Sequence, residues 1–275
     1  MPSPPAPQTP LLPGECHLWL TRTEGVTPEV LATATDLLSP PERARAARFL
    51  VEPARLEYIL SRSLVRRALS AHTGVDPRAF RFDSGPRGKP FIASPVEYRD
   101  IEHNLTHSRG VAACAVMRGA RVGVDVEETK ATAELENIAH LVFSPPGAAT
   151  FSRLNGEAQR RYFFAKWTLK EAFVKTRGDG LSLGVERIQI TFTSSPESPD
   201  GLRLQSMTLD GQDILPTHQV HRFSLTPHHP AALVIEPLPS RSCSSEMGER
   251  DPSIPAGNAD QRPPLIKYPL LARPA

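Results

Sequence analysis

Arg121-Val122-Gly123-Val124-Asp125-Val126-Glu127-Glu128 is the stretch from which the rest of the chain is read. Val122, Val124 and Val126 alternate with Gly123, Asp125 and Glu127, the period-two pattern of a strand with one apolar face. Asp125 and Glu127 therefore point the same way. Two neighbouring carboxylates repel each other and are costly to bury, so a strand that carries them calls for a cation. A solvated sheet edge is the plainer reading of the same pair. Some forty residues on, Arg161-Tyr162-Phe163-Phe164-Ala165-Lys166-Trp167-Thr168-Leu169-Lys170-Glu171-Ala172-Phe173-Val174-Lys175 is apolar nearly all round a helix, which predicts burial. Trp167, Glu171 and Lys175, at i, i+4 and i+8, line one stripe of it. As a surface pair, Glu171 and Lys175 would be worth about 0.2–0.5 kcal/mol. Their aromatic and aliphatic flanks argue for more, because a carboxylate on a buried helix needs a stronger partner than a surface lysine.

With 275 residues there is material for one large or two small domains. The 32 Lys and Arg nearly balance the 30 Asp and Glu, for a formal +2, which argues against a nucleic-acid binder. Three scattered cysteines, Cys16, Cys114 and Cys243, have no metal-ligand spacing and suit a reducing compartment. No apolar run approaches the roughly 20 residues that span a bilayer, and there is no signal-peptide pattern, so no membrane partner and a cytoplasmic location are expected.

In chain order, residues 1–14 are proline-rich and are expected to be a disordered tail. Cys16 to Leu20 reads as a strand; Val30, Leu31, Ala34, Leu37 and Leu38 as a helix; Ser39-Pro40-Pro41 as its end and the start of an arginine-bearing helix through Phe49. Pro53 to about Ala71 is the strongest helix signal, with Gly74 just past its end. Phe80-Arg81-Phe82 alternates like a strand and runs into the turn Ser84-Gly85-Pro86-Arg87-Gly88-Lys89-Pro90. Val111 to Met117 is a strand-length apolar run, and with Arg118-Gly119-Ala120 as a turn it is expected to pair antiparallel with the Asp125 strand. Leu135, Ile138, Ala139 and Val142 suggest a helix closed by Pro145 and Pro146. Beyond the Glu171 helix, Arg177 to Leu183 is a helix stop, and strands follow at Ile188–Phe192, Leu202–Leu204 and Ala231–Ile235. Residues 237–275 read as a largely disordered tail, with Leu265-Ile266-Lys267-Tyr268 touching the body.

Gly123-Val124-Asp125-Val126-Glu127 and Trp167-Thr168-Leu169-Lys170-Glu171-Ala172-Phe173-Val174-Lys175, in this order and at this separation, resemble the two hallmark motifs of the Sfp-type 4′-phosphopantetheinyl transferases. The resemblance extends over residues 35–236. It implies an α+β fold of two similar subdomains with the active site at their interface, here 15–120 and 121–236. It also implies transfer of 4′-phosphopantetheine from coenzyme A to a serine of an acyl or peptidyl carrier protein, with 3′,5′-ADP leaving. Carrier proteins of fatty-acid, polyketide or nonribosomal-peptide synthesis are the implied acceptors, and a monomer the implied state. Magnesium, with manganese as the alternative, prefers oxygen ligands and substrate phosphates, and Asp125, Glu127 and Glu171 are the expected ligands. Glu171 is the expected general base, directly or through a water, and Lys175 the cation for the pyrophosphate.

By the same resemblance, Lys89 of the Gly-Lys-Pro triplet, and Thr106 and His107 of His103-Asn104-Leu105-Thr106-His107-Ser108, meet phosphates of the coenzyme, and Arg45 lies near its nucleotide end. Three positions depart from the family pattern: Glu57 in place of a basic residue, with Arg62 a candidate to compensate; His103 in place of an aromatic residue; and Gly147 about where an acid is usual. Two other readings compete. A different magnesium-dependent phosphate enzyme, such as a nuclease, would use similar acids and a lysine, but a basic stripe with aromatics is missing. A non-catalytic carrier-binding module would have lost a metal carboxylate or Lys175, and all are present.

Overall fold

The stretch around Asp125 is a strand, and the layers of the molecule stack on its two faces. The computed structural model describes residues 9–12, 14–129, 132–198, 200–238 and 266–267. In chain order the first half supplies β1 (Cys16–Arg22), α1 (Pro28–Asp36), α2 (Pro40–Ala46), α3 (Glu52–Thr73), β2 (Arg81–Ser84), β3 (Pro90–Ser94), β4 (Ile101–Ser108) and β5 (Val111–Arg118). The second supplies β6 (Ala120–Val126), α4 (Thr132–Val142), α5 (Pro145–Arg153), α6 (Gly156–Arg177), β7 (Ile188–Ser194), β8 (Leu202–Leu209), β9 (Gln212–Asp213), β10 (Gln219–Thr226), β11 (His229–Pro237) and β12 (Ile266–Lys267).

Local chemistry sets the helix ends. Ser39 and Glu42 close a capping box at the start of α2. Glu42 also accepts the buried Arg66 guanidinium at 2.7 and 3.1 Å, which docks α2 onto α3. The two 22-residue helices α3 and α6 both stop at a left-handed glycine, Gly74 at φ 73° and Gly178 at φ 72°.

Four strands run in the order β12-β1-β5-β4 and three in the order β10-β11-β6. The two sheets meet face to face through Leu18, Ala113 and Ala115 on one and Val122, Val124, Leu233 and Ile235 on the other. The outer face of the first sheet is covered by α3, through Leu64, Ala68 and Leu69 against Trp19, Cys114 and Val116. The outer face of the second is covered by α6, through Leu169, Ala172 and Phe173 against Ala232 and Val234. The result is a mixed α+β molecule layered helix, sheet, sheet, helix. Among the described residues, no helix is long and apolar enough to cross a membrane.

The expected pairing of β5 with β6 is wrong. Both edges of β5 are occupied, by β1 and by β4, each antiparallel, and β6 pairs with β11 instead. Only Gly119, at φ 75°, separates β5 from β6. That is too short for the two-residue loop a tight hairpin uses, so the chain passes from one sheet into the other. The hairpin made by β5 is with β4, around Arg109 and Gly110.

Of the tail expected over residues 1–14, residues 1–8 and 13 lie outside the described residues; Thr9 N–H donates to the Ala71 carbonyl at 3.0 Å and its carbonyl accepts from His72 Nδ1 at 2.7 Å, so Thr9 itself is tied to α3. Near the other end, Ile266 and Lys267 pair in parallel with Cys16 and His17. The remainder of the expected C-terminal tail, from residue 239, lies outside the described residues.

Candidate active site

Gly123, Asp125 and Glu127 look toward α6, and the stripe predicted on that helix looks back. Lys175 Nζ donates to Asp125 Oδ1 at 2.6 Å, and Trp167 Nε1 donates to Glu127 Oε1 at 3.0 Å. A Cβ on Gly123 would collide with the Ala172 carbonyl oxygen and with the amide and hydroxyl of Thr176, so glycine is what lets the strand and helix approach this closely.

The electrostatics are those of acids held out of water. Asp125 is 3% exposed and its Oδ2 has no hydrogen-bond partner in the structure. Burial pushes its pKa up to about 7; Lys175 opposes the rise, and Glu127 and Glu171 add to it. Glu171 Oε1 is likewise buried without a partner, and burial raises that carboxyl, again against Lys175 and with Glu127. Among the described residues, no group of three histidine, cysteine or acidic side chains converges tightly enough to hold a metal ion as it stands.

A second set of contacts comes from β4. Its Asn104 Oδ1 accepts from Val124 N–H at 2.8 Å, Thr106 Oγ1 from Val126 N–H at 3.3 Å, and Ser108 Oγ from Glu128 N–H at 3.0 Å. Every second side chain of β4 thus satisfies every second amide on the edge of β6 that β11 leaves free. The same oxygens reach the acids: Thr106 Oγ1 donates to Asp125 at 3.2 Å and accepts from Lys175 at 3.2 Å, and Ser108 Oγ donates to Glu127 at 3.4 Å.

A cavity of about 260 Å³ opens beside this cluster. The β2–β3 turn and β4 contribute Arg87, Gly88, Lys89, Pro90 and Asn104 to its wall, and α6 and its stop contribute Glu171, Val174, Lys175, Gly178 and Gly180. Arg87 and Asp179 form an ion pair that joins the two loops.

The expected site residues are not all brought together. Asp125, Glu127, Glu171, Lys175 and Thr106 cluster. Lys89 lines the cavity, but its ammonium donates to the Val122 and Thr176 carbonyls at 3.2 and 3.0 Å and pairs with Glu102 at 2.9 Å, so it also caps α6. Thr106 and His107 are adjacent on a strand and so face opposite ways: Thr106 meets Asp125, whereas His107 Nδ1 meets Glu57 Oε1 at 2.6 Å. Arg45 is exposed on α2, does not line the cavity, and places its guanidinium 5.4 Å from the Tyr58 ring centroid, as Arg62 also does.

Sequence reasoning gave no role to Asn104, Ser108, Lys170 or Lys166. The first two carried a readable signal: oxygen-bearing residues at every second position of one strand. Lys170 Nζ donates to the Val142 and Val185 carbonyls, both at 2.6 Å, and braces the end of α4. Lys166 is buried against the rings of Phe143 and Tyr162, at 5.4 and 4.7 Å, and burial lowers its pKa to about 8. A Cβ on Gly147 would lie 3.0 Å from its Nζ, so ring faces hold the ammonium at the place where an acid was expected.

His103 is also explained. It is buried beside Phe82, with ring centroids 5.3 Å apart, and burial, then Lys89 and Arg62, lower its pKa to about 4. The unfolded chain takes up this proton near pH 6.5 and the native protein only near 4, so acid favours unfolding across that window. Asp125, raised to about 7, pulls the opposite way, so the comparison must be with a variant. His103→Phe is expected to gain about 1.4 kcal/mol per pH unit over the parent as pH falls from 6.5 toward 4, with no change above 7. Urea unfolding at a series of pH values measures this; a pH-independent difference would rule the buried neutral imidazole out.

Buried acids, a lysine and hydroxyls thus lie together beside a cavity walled by both halves of the molecule. Residues 121–224 match the model of the 4′-phosphopantetheinyl transferase superfamily, and residues 26–118 that of the 4′-phosphopantetheinyl transferase N-terminal region. The chain is 34% identical over 203 residues to the 4′-phosphopantetheinyl transferase HetI of Nostoc sp. strain PCC 7120, covering 73% of this chain and 83% of that protein. It is 31% identical over 155 residues to the 4′-phosphopantetheinyl transferase Sfp of Bacillus subtilis strain 168, covering 56% and 66%. Against the rat L-aminoadipate-semialdehyde dehydrogenase-phosphopantetheinyl transferase it is 24% identical over 209 residues, covering 72% and 65%. The chain belongs to the 4′-phosphopantetheinyl transferase superfamily, and it is an enzyme.

Proposed function

We propose that this enzyme transfers 4′-phosphopantetheine from coenzyme A to a serine hydroxyl of a carrier protein, using Asp125, Glu127, Glu171 and Lys175. The observation that carries the assignment of residues is the pair of buried carboxylate oxygens without partners, Asp125 Oδ2 and Glu171 Oε1, that flank Lys175. Such oxygens are costly unless a cation or a proton comes to them. Their chemistry fits a hard divalent ion such as magnesium or manganese, with Asp125, Glu127 and Glu171 as the residues that would hold it. When bound, that ion would neutralise charge on the pyrophosphate.

Glu171, raised by burial, is a better base than an exposed glutamate and takes the serine proton as the hydroxyl oxygen attacks the β-phosphorus. A new P–O bond to serine forms, the bond to the departing 3′,5′-ADP breaks, and Lys175 faces the charge that develops. Thr106 orients Lys175 and Asp125 by contacting both. Lys89 and His107 are the proposed phosphate contacts, with Arg45 further out. At about 260 Å³ the cavity is smaller than the roughly 300–1,000 Å³ usual for ligand sites, so it holds part of the coenzyme while the rest lies along the surface. Subdomains at 15–120 and 121–236, a monomeric state and a cytoplasmic location complete the reading.

Intact-mass measurement of an apo carrier protein incubated with the enzyme, coenzyme A and magnesium tests it. The expected result is a gain of one phosphopantetheine that disappears when the metal is chelated. A gain that survives chelation would remove the metal from the reading, and no gain on any of several carriers would remove the acceptor.

A further inference from the structure

Glu57 stands where a basic residue was expected, and both of its oxygens are engaged. From α3 its Oε1 meets His107 Nδ1 at 2.6 Å, and its Oε2 accepts the Gly110 amide hydrogen at 2.7 Å. Both partners belong to the β4–β5 hairpin. Arg109 and Gly110, at φ 41° and 85°, form its two-residue turn, whose twist requires left-handed backbone at both positions. The hydrogen bond from His107 holds the Glu57 carboxyl below the usual range; burial opposes this, and the Gly110 amide and the Arg109 charge assist it. The group is therefore a charged acceptor that grips the hairpin twice.

A carboxylate that accepts at Nδ1 fixes which ring nitrogen is left over. His107 Nε2 has no partner among the described residues, and the side chain is half exposed. An anion that approaches this face accepts a hydrogen bond from Nε2–H when the ring carries both protons, Nδ1–H donating to Glu57, while the charge on Glu57 repels direct contact with the start of α3. The family's basic residue would act on an anion itself. Here the same position can act only through the histidine.

We propose that Glu57 is a positioning residue for coenzyme A: it orients the His107 ring so that Nε2 meets an anionic group of the coenzyme. This rests on the reading of His107 as a coenzyme contact. Glu57 touches neither the coenzyme nor the reacting atoms, so its removal should affect binding rather than turnover.

The test is coenzyme A titration calorimetry without a carrier, together with steady-state transfer, on the parent, Glu57→Ala, Glu57→Gln, His107→Ala and the double alanine variant. Glu57→Ala and His107→Ala are each expected to weaken coenzyme A binding about tenfold, the cost of one charged hydrogen bond. The double variant should be no weaker than His107→Ala alone, because the first effect passes through the second residue. Turnover of Glu57→Ala at saturating coenzyme A should stay within about twofold, since only binding is touched. Glu57→Gln retains one acceptor and should recover part of the affinity. Long-range nitrogen-15 NMR of the coenzyme complex should show His107 with protons on both ring nitrogens and a hydrogen-bonded Nδ1–H in the parent and in Glu57→Gln, and no hydrogen-bonded Nδ1–H in Glu57→Ala, a change that general loosening would not confine to this ring. Additive losses, tighter coenzyme binding by Glu57→Ala, or a hydrogen-bonded Nδ1–H that survives in Glu57→Ala would each overturn the proposal. A parent that binds coenzyme A with the expected coupling but transfers nothing would refute the transferase reading alone. A parent that transfers but shows additive losses would refute the role of Glu57 alone.

Discussion

Asp125→Asn should abolish phosphopantetheine transfer and at the same time raise the melting temperature at pH 8. The first effect follows from replacing a charged lysine partner, and the proposed metal ligand, by a neutral amide of the same shape. Losses of at least about 10²–10³-fold are usual when one preorganised electrostatic group is removed from an active site. The second effect follows from the sign of the shift. The Asp125 carboxyl is raised to about 7, so at pH 8 the native protein holds an ionised group that its surroundings disfavour. An amide has no such cost, and the variant should be more stable by on the order of 2 kcal/mol, or roughly 4–8 °C. That advantage should shrink by about 2–3 kcal/mol at pH 5, where the native parent has bound its proton and the unfolded chain has not. Stopped transfer assays and calorimetric melts at both pH values read the two effects. An active variant would remove Asp125 from the site. A lower melting temperature at pH 8 would mean that the 2.6 Å contact with Lys175 outweighs the burial of the charge.

Much of this site was legible because the residues that build it obey local periods. A period of two placed Asp125 and Glu127 on one face of a strand, and a period near four placed Trp167, Glu171 and Lys175 on one stripe; the structure joins face to stripe through Trp167–Glu127 and Lys175–Asp125. What failed was pairing at a distance. Val111–Met117 reads equally well as a neighbour of β6, of β1 or of β4, because an apolar run carries no partner label. Arg118-Gly119-Ala120 reads as a turn, but the strands take up Arg118 and Ala120 and leave Gly119 alone as the link by which the chain changes sheet. Charge at a position was also read too directly. Lys89 was read as a phosphate contact alone, yet its ammonium also donates to the Val122 and Thr176 carbonyls and pairs with Glu102. Glu57 looked like a loss, yet it grips His107 and Gly110. Those roles depend on which groups fold brings within 3 Å or so of one another, and no one-dimensional period records that.

Gly123→Ala should damage the enzyme through a single methyl group. The glycine has ordinary backbone angles, so the requirement is for space and not for a left-handed conformation. Its missing Cβ would overlap the Ala172 carbonyl oxygen and the Thr176 amide, both of them helix backbone, and rotating a side chain cannot relieve that. The strand or the helix must move instead. Movement would stretch the Lys175–Asp125 contact and the Trp167–Glu127 contact and would part Ala172 and Phe173 from Ala232 and Val234. Overpacking of this kind costs about 1–3 kcal/mol and at times more, and the absence of any yielding neighbour places Gly123→Ala near or above the upper figure. A shift of about 1 Å at the reacting groups can cost on the order of 10²-fold in rate, so turnover should fall further than stability alone would explain. Gly85→Ala is the control: its Cβ would meet only the Lys89 carbonyl at an ordinary 3.6 Å, and it should stay within about 1 kcal/mol of the parent. Urea unfolding and transfer rates measured on both variants decide the matter. Gly123→Ala with parental stability and parental turnover would mean that β6 and α6 do not pack as closely as their backbones are placed, and the glycine of the Gly-Val-Asp-Val-Glu stretch would need a different explanation.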